Sequence, residues 1–144
     1  MLDSTRVVSG KFGEIWKDGR WLSNFHTGEA TADIQYEKVK RSGNRVDGNK
    51  VVGIEYNGNI SGYKVTSELA REVAQVFDNS RGAFVCELIM KLDDPEAHGH
   101  ERVRLKNVQF TKVTIMKFEH GSLVEEEWPF LFDGVEWLDP ITAN

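Results

Sequence analysis

From Ala30 to Glu37 the chain alternates without a break: Ala30, Ala32, Ile34 and Tyr36 are interleaved with Thr31, Asp33, Gln35 and Glu37. Period two is the mark of a strand with one buried and one wet face. The same beat returns in Val52, Ile54 and Tyr56, running on to Ile60. It recurs in Phe84, Cys86, Leu88, Met90 and Leu92, and in Val103 and Leu105 set against Arg102, Arg104 and Lys106. It closes the chain in Trp128, Phe130 and Phe132. So many half-buried strands confine the fold to sheet architectures.

The intervening segments fill in the plan. Residues 10–17 predict a short strand with Phe12 and Trp16 on one face. Asp18-Gly19 then gives a two-residue hairpin turn, because both positions tolerate positive φ. Glycines at 53, 58 and 62 sit inside a strand pattern and mark bends, bulges or close backbone approach. Residues 110–119 predict a further strand, with a phase change near Met116 that suggests a bulge. One helix is expected after Ser67, a good N-cap, with Glu68 at the positive end of the dipole. Leu69, Val73, Val76 and Phe77 form its apolar stripe. It should run about 11 residues, roughly 16 Å. The fold class is therefore mainly β: a barrel or sandwich of about seven strands with one packed α-helix. The 144 residues suffice for one domain, taken as 1–144.

Charge narrows the function. A net charge of -5 argues against a general nucleic-acid coat. The signs are unevenly placed. The segment 38–50 holds Lys38, Lys40, Arg41, Arg45 and Lys50 against Asp47 alone. It is rich in the turn formers Gly43, Asn44, Gly48 and Asn49 and predicts an extended basic loop. Loops of about a dozen unstructured residues are uncommon in compact domains and tend to be functional. Beyond Lys117 there is no Lys or Arg, and acids gather at Glu125, Glu126 and Glu127. They are either a solvated acidic strand or a contact surface for a basic partner.

A lone cysteine, Cys86, excludes an intrachain disulfide and fits a buried small hydrophobe made in a reducing cytosol. The N-terminus lacks the apolar core of a signal peptide, and no stretch approaches the roughly 18 apolar residues of a membrane span.

Catalytic and cofactor patterns are missing. His98, His100 and Glu101 match no common zinc spacing and lie in a Pro/Gly loop. His26 and His120 suggest no triad. The strand glycines do not form a strand-to-helix phosphate loop. No catalytic residue, cofactor site or metal site is expected. A competing reading is a small-ligand-binding β-barrel whose pocket is lined by Trp16, Trp21, Trp128, Phe130 and Trp137. A metal-dependent enzyme built on His98, His100 and Glu101 is a weaker one.

Five runs, taken in order and spacing, resemble the tail tube protein of PBSX-type defective prophages. They are Ser9-Gly10-Lys11-Phe12-Gly13, the basic loop at 38–50, Gly62-Tyr63-Lys64-Val65-Thr66-Ser67, Glu101-Arg102-Val103-Arg104-Leu105, and Glu125-Glu126-Glu127-Trp128-Pro129-Phe130. The resemblance covers nearly the whole chain and rests on collinearity. It implies a non-enzymatic subunit of a phage tail tube or of a related machine such as a tail-like bacteriocin. It further implies hexameric rings stacked into a hollow tube, usually inside a contractile sheath. Tail sheath, baseplate and tape-measure proteins would be its partners, with DNA only in transit and no membrane. Synthesis would be in the bacterial cytoplasm, with assembly into a virion or phage-tail-like particle.

Three sets of residues follow as expectations. The wet faces of the strands flanking the loop, Asp33, Gln35 and Glu37 with Glu55, Asn57 and Asn59, would line the lumen. The basic loop would join one ring to the next. Glu125, Glu126 and Glu127 would face a basic partner, most plausibly the sheath.

Overall fold

The computed structural model describes residues 2–142, so the outermost ends of the 1–144 domain lie outside the described residues. It contains eight strands: β1 (Gly13–Lys17), β2 (Arg20–Trp21), β3 (Phe25–Val39), β4 (Gly48–Tyr63), β5 (Cys86–Leu92), β6 (Glu101–Phe110), β7 (Glu125–Leu131) and β8 (Gly134–Asp139). One helix, α1 (Glu68–Val73), runs into a 3-10 turn at Ala74–Phe77. The fold is mainly β, as the alternation requires.

All pairings are antiparallel, in the order β2-β1-β5-β6-β7-β4-β3, with β8 added to β6. β6 serves two layers. It pairs with β5 from Glu101 to Val108 and with β8 from Arg102 to Lys106. Asn107, at a φ of 54°, turns the chain, and Gln109 and Phe110 then pair with Leu131 and Phe130 of β7. Asn tolerates this left-handed conformation better than most residues. The result is one continuous sheet folded into two layers, β2-β1-β5-β6-β8 and β6-β7-β4-β3. It does not close: β1 approaches β3, with the Ile15 side chain filling the space beside Gly28, but no ladder joins them among the described residues.

The core sits between the layers. Ile60, Trp128, Phe130 and Phe132 meet Ile15, Cys86, Leu88, Leu105 and Val108, and Val73 of α1 covers one side. Phe110 packs edge-on against both Trp128 and Phe130. Burial pushes the Cys86 thiol pKa up to about 12. Cys86 should therefore resist alkylation by iodoacetamide at pH 8 and react only once denaturant unfolds the chain; modification of the native protein, read by mass spectrometry, would contradict this placement.

Local expectations fare unevenly. The Asp18-Gly19 turn forms, with φ of 49° and 83°, and sets Trp16 against Trp21 and Lys17 against Arg20. β1 starts later than expected, because Gly10–Phe12 is a 3-10 turn. Ile15 and Lys17 point inward, while Trp16 stacks on Trp21 across the hairpin. Inward Lys17 is satisfied by Glu72 of α1 at 2.8 Å and lies over the Phe84 ring. A second ion pair, Arg20 with Glu68, ties the same hairpin to the helix.

The helix is tighter than its apolar stripe predicts. Ser67 makes no side-chain cap; Thr66 Oγ1 accepts the Glu68 N–H instead. After Val73 the chain winds as 3-10, with about three residues per turn, which rotates later positions off the stripe. Leu69, Ala70 and Val73 pack on the core, and Val76 and Phe77 stay exposed.

The expected strand at 110–119 ends at Phe110. Pro129 supplies the reason. Thr111 N–H donates to the Pro129 carbonyl at 2.9 Å, but Pro129 has no N–H to return the bond, so the ladder stops there.

β3 and β4 form a hairpin far longer than the core beneath it, about 50 Å at the rise of a strand. The one-face burial expected of β3 is not met within the subunit, because most of the hairpin extends beyond the cover of the β2-β1-β5-β6-β8 layer. Near its base Ile60 is buried and Tyr56 stacks on Phe132. Further out, Ile34, Tyr36, Val51 and Ile54 remain about half exposed. A bulge between Gln35 and Tyr36 skips Val52 on β4, so Val51 pairs with Tyr36 and Lys50 with Glu37. That shift keeps the apolar side chains on one face to the end.

Candidate functional site

Cross-strand partners share a face, so the register sorts the hairpin's side chains. Asp33 lies opposite Glu55, Thr31 opposite Asn57, Glu29 opposite Asn59, and Gln35 opposite Gly53. The six residues Asp33, Gln35, Glu37, Glu55, Asn57 and Asn59 therefore lie on one polar face, as their alternation predicts. Hydrogen bonds knit it: Asn57 Nδ2 donates to Asp33 Oδ2 at 2.9 Å, and Thr31 Oγ1 donates to Asn57 Oδ1 at 2.9 Å. The Gln35 side chain lies over Gly53, where a Cβ would meet its Oε1 at 2.8 Å.

The polar face continues across β7. Ser61 pairs with Glu127, Tyr63 with Glu125 and Asn59 with Pro129. Glu125 and Glu127 thus share the face of Asp33 and Glu55. Glu126 points the other way. It is buried, accepts from Lys64 Nζ at 2.9 Å and from Trp128 Nε1 at 3.1 Å, and is not available to a partner. This corrects the expectation of a three-glutamate contact surface, and the cause is the strand's own alternation. Glu126→Ala would strand both donors and should lower stability by about 2 kcal/mol, checked by urea unfolding; Glu127→Ala should change stability by less than about 0.5 kcal/mol.

At the far end of the hairpin the ladder reaches Val39 and Gly48, so 40–47 is the connection. Lys38 and Lys50 sit within the paired strands, opposite Asn49 and Glu37. Lys40, Arg41 and Arg45 occupy the tip. The Arg41 guanidinium rests on Gly48, where a Cβ would come within 3.0 Å of its Nε, and Asn44 Oδ1 accepts from Val46 N–H. The tip is therefore an ordered turn carrying a cluster of cations.

The aromatic residues considered for a ligand pocket are dispersed. Trp128 and Phe130 belong to the core. Trp21 and Trp128 border a groove of about 190 Å³ beside α1, while Trp137 borders a separate one of about 410 Å³ between β3 and β8. His100 Nε2 lies 3.2 Å from Asp139, whose carboxyl is held below the usual range chiefly by its bond from Arg102. Among the described residues no three His, Cys, Asp or Glu side chains converge as metal ligands. None of the described helices is long and apolar enough to cross a membrane.

Two features were not legible from sequence. One is the inward turn of Lys17 and Glu126. The other is the apolar face of the outer hairpin left open in the subunit.

An unclosed sheet, an overlong hairpin with one bare apolar face and a cationic tip describe an assembly subunit. The chain belongs to the phage tail tube protein family, whose model matches residues 1–139. It is 31% identical over 134 residues to protein XkdM of the phage-like element PBSX of Bacillus subtilis (strain 168), covering 92% of this chain and 90% of that protein. Its fold is similar to a chain of the anti-feeding prophage cap, the tube-terminating cap, at a TM-score of 0.71 with 12% identity and coverage of 92% and 91%. It is also similar to a chain of the sheath-tube complex of the PVC extracellular contractile injection system in its extended state. There the TM-score is 0.70 with 13% identity, covering 95% and 98%. The protein is a structural subunit of a phage or phage-like tail tube and not an enzyme.

Proposed function

We propose that the chain forms hexameric rings that stack into a hollow tube, each subunit's sheet continuing into its neighbour's. The observation that carries this is the layer β6-β7-β4-β3, whose β3 edge is unpaired among the described residues and whose distal apolar face is bare. Closure into a ring is the physical remedy for free edges. The number six comes from the PBSX-type resemblance. Four strands from each of six subunits, at about 4.8 Å per strand, give a wall about 37 Å across, which leaves a central channel once side chains are placed.

The polar face of that layer lines the lumen. Asp33, Gln35, Glu37, Glu55, Asn57 and Asn59 are joined there by Glu29, Glu125 and Glu127, while Lys50 is set opposite Glu37. A wall poor in free cations does not hold phosphates, so DNA can pass. This reassigns Glu125 and Glu127 from the sheath side to the lumen side, because one face of a sheet cannot serve both. A sheath, baseplate and tape-measure protein would complete the particle, whose subunits are made in the bacterial cytoplasm.

Combining Asp33→Lys with Glu55→Lys should leave tubes intact but make them retain duplex DNA at low salt and release it at high salt. Tubes of the double variant that bind DNA no better than the wild type would place this face outside the lumen.

A further inference from the structure

Where the folded sheet fails to close, it leaves a cleft of about 410 Å³. One wall is β3 from Gly28 to Ala32, and the other is the start of β6 with β8 beside it. The volume lies within the range of small-molecule sites. The lining is largely apolar and aromatic. Tyr56 and Phe132 stack on each other there, and Trp137, 59% exposed, borders the opening.

One side chain is out of keeping with such a lining. Glu101 has the parity of Val103 and Leu105, so it lies on the core-facing side of β6. Its cross-strand partner is Leu92, which shares the face of Leu88 and Met90. Glu101 is partly buried, borders the cleft and makes no ion pair among the described residues. The cations next to it on β6 point to the opposite face. There Arg102 is engaged by Asp139, and Arg104 by Glu87 and Glu136. Among the described residues no Lys or Arg borders the cleft, and the other charged residue that does, Glu29, is also acidic.

This chemistry selects an occupant. A carboxylate beside apolar surface is costly unless a cation meets it. Aromatic faces attract the same cation. A neutral apolar molecule would strip water from Glu101 and return nothing, and an anion would be repelled. We infer that the cleft is a binding site for a compact amphiphilic amine. Its ammonium is held by Glu101 and the Trp137 ring, and its apolar body covers Tyr56 and Phe132. The site belongs to the single subunit and does not depend on the ring reading above.

Phenethylamine is the probe, titrated by isothermal calorimetry into the purified full chain at low salt. The protein is kept dilute enough to run as a single subunit by size-exclusion chromatography. One amine should bind per chain. Phenethyl alcohol has the same body without the charge and should bind about tenfold more weakly, the scale of a hydrogen bond to a charged group. Glu101→Gln should weaken the amine about tenfold and leave the alcohol unchanged. Trp137→Leu should weaken the amine about threefold. Circular dichroism checks that both variants fold, and the comparison of amine with alcohol needs only the wild type. No binding of the amine, equal affinity for amine and alcohol, or an amine affinity unchanged by either substitution would each overturn the inference. All of these outcomes leave ring formation at high concentration untouched.

Discussion

Replacing residues 40–48 with a short Gly-Ser turn should leave a folded subunit that makes no tubes. The hairpin tip carries Lys40, Arg41 and Arg45, with Lys38 and Lys50 just below it, in a chain of net charge -5. None of these five side chains is in an intrachain salt bridge among the described residues. The tip also lies outside the hydrophobic core, so its loss leaves the core residues untouched. We propose that it docks on acidic groups of the adjacent ring. A single tip would bind weakly, because ordering its side chains costs roughly 1 kcal/mol per residue fixed. Six such contacts per ring interface act together through multivalency. Exposed charges are screened, so stacking of the wild type should also weaken as salt rises. The expected result is an unfolding midpoint within a few degrees of the wild type and a total loss of tubes by microscopy. Tubes of normal length from the variant would show that the tip is not the connector.

The largest effect on folding should come from Gly62→Ala. Gly62 lies in β4 opposite Glu126, on the inward face. A Cβ there would overlap backbone atoms at the start of β3 in the same subunit, the Asn24 carbonyl and the Phe25 Cα. Backbone cannot step aside as a flexible side chain can. Tyr63 N–H donates to that Asn24 carbonyl, and Asn24 Nδ2 donates to the Tyr63 carbonyl, so the 24–25 corner is pinned from both sides. Overpacking of this kind costs about 3 kcal/mol, which corresponds to a fall in melting temperature of about 10 °C for a chain of this size. Gly53→Ala is the internal control. Its Cβ would meet only the tip of the Gln35 side chain, which can swing away. Thermal unfolding followed by circular dichroism checks both. Equal melting temperatures for the two variants would contradict the packing described at Gly62.

Alternation carried most of the fold, and its failures share a cause. Where both neighbours of a strand lie within the chain, as for β5 and β7, the inward residues Leu88, Trp128 and Phe130 are buried as the pattern predicts. Where a neighbour is missing, the pattern is right about faces and wrong about burial. Ala30, Ala32, Ile34 and Tyr36 do share a face, but Ile34 and Tyr36 have nothing above them within one subunit. The expected strand over 110–119 likewise stops where Thr111 meets Pro129, which has no N–H to return its bond. Sequence periodicity reports which face a side chain takes, while its burial also needs something packed over that face.

The candidate sites were legible to a similar degree. Placing the six lumen candidates on one face needed only parity and a hairpin register. The glutamate run was misread because three adjacent acids suggest one patch, although strand geometry splits them between two faces. Lys17 and Glu126 escaped notice because charged residues at strand positions look wet. Their partners, Glu72 and Lys64, lie 55 and 62 residues away and meet them only in the folded chain. The helix stripe failed at Val76 and Phe77 for a different reason, a change of winding that a fixed period of 3.6 cannot anticipate.

Negative-stain microscopy of the purified protein at high concentration tests the central claim most directly. Six-fold rings and stacks of them with a stain-filled channel are expected, growing more numerous with concentration and fewer with salt. A sample that stays monomeric or dimeric under all of these conditions, by microscopy and by size-exclusion chromatography alike, would contradict it.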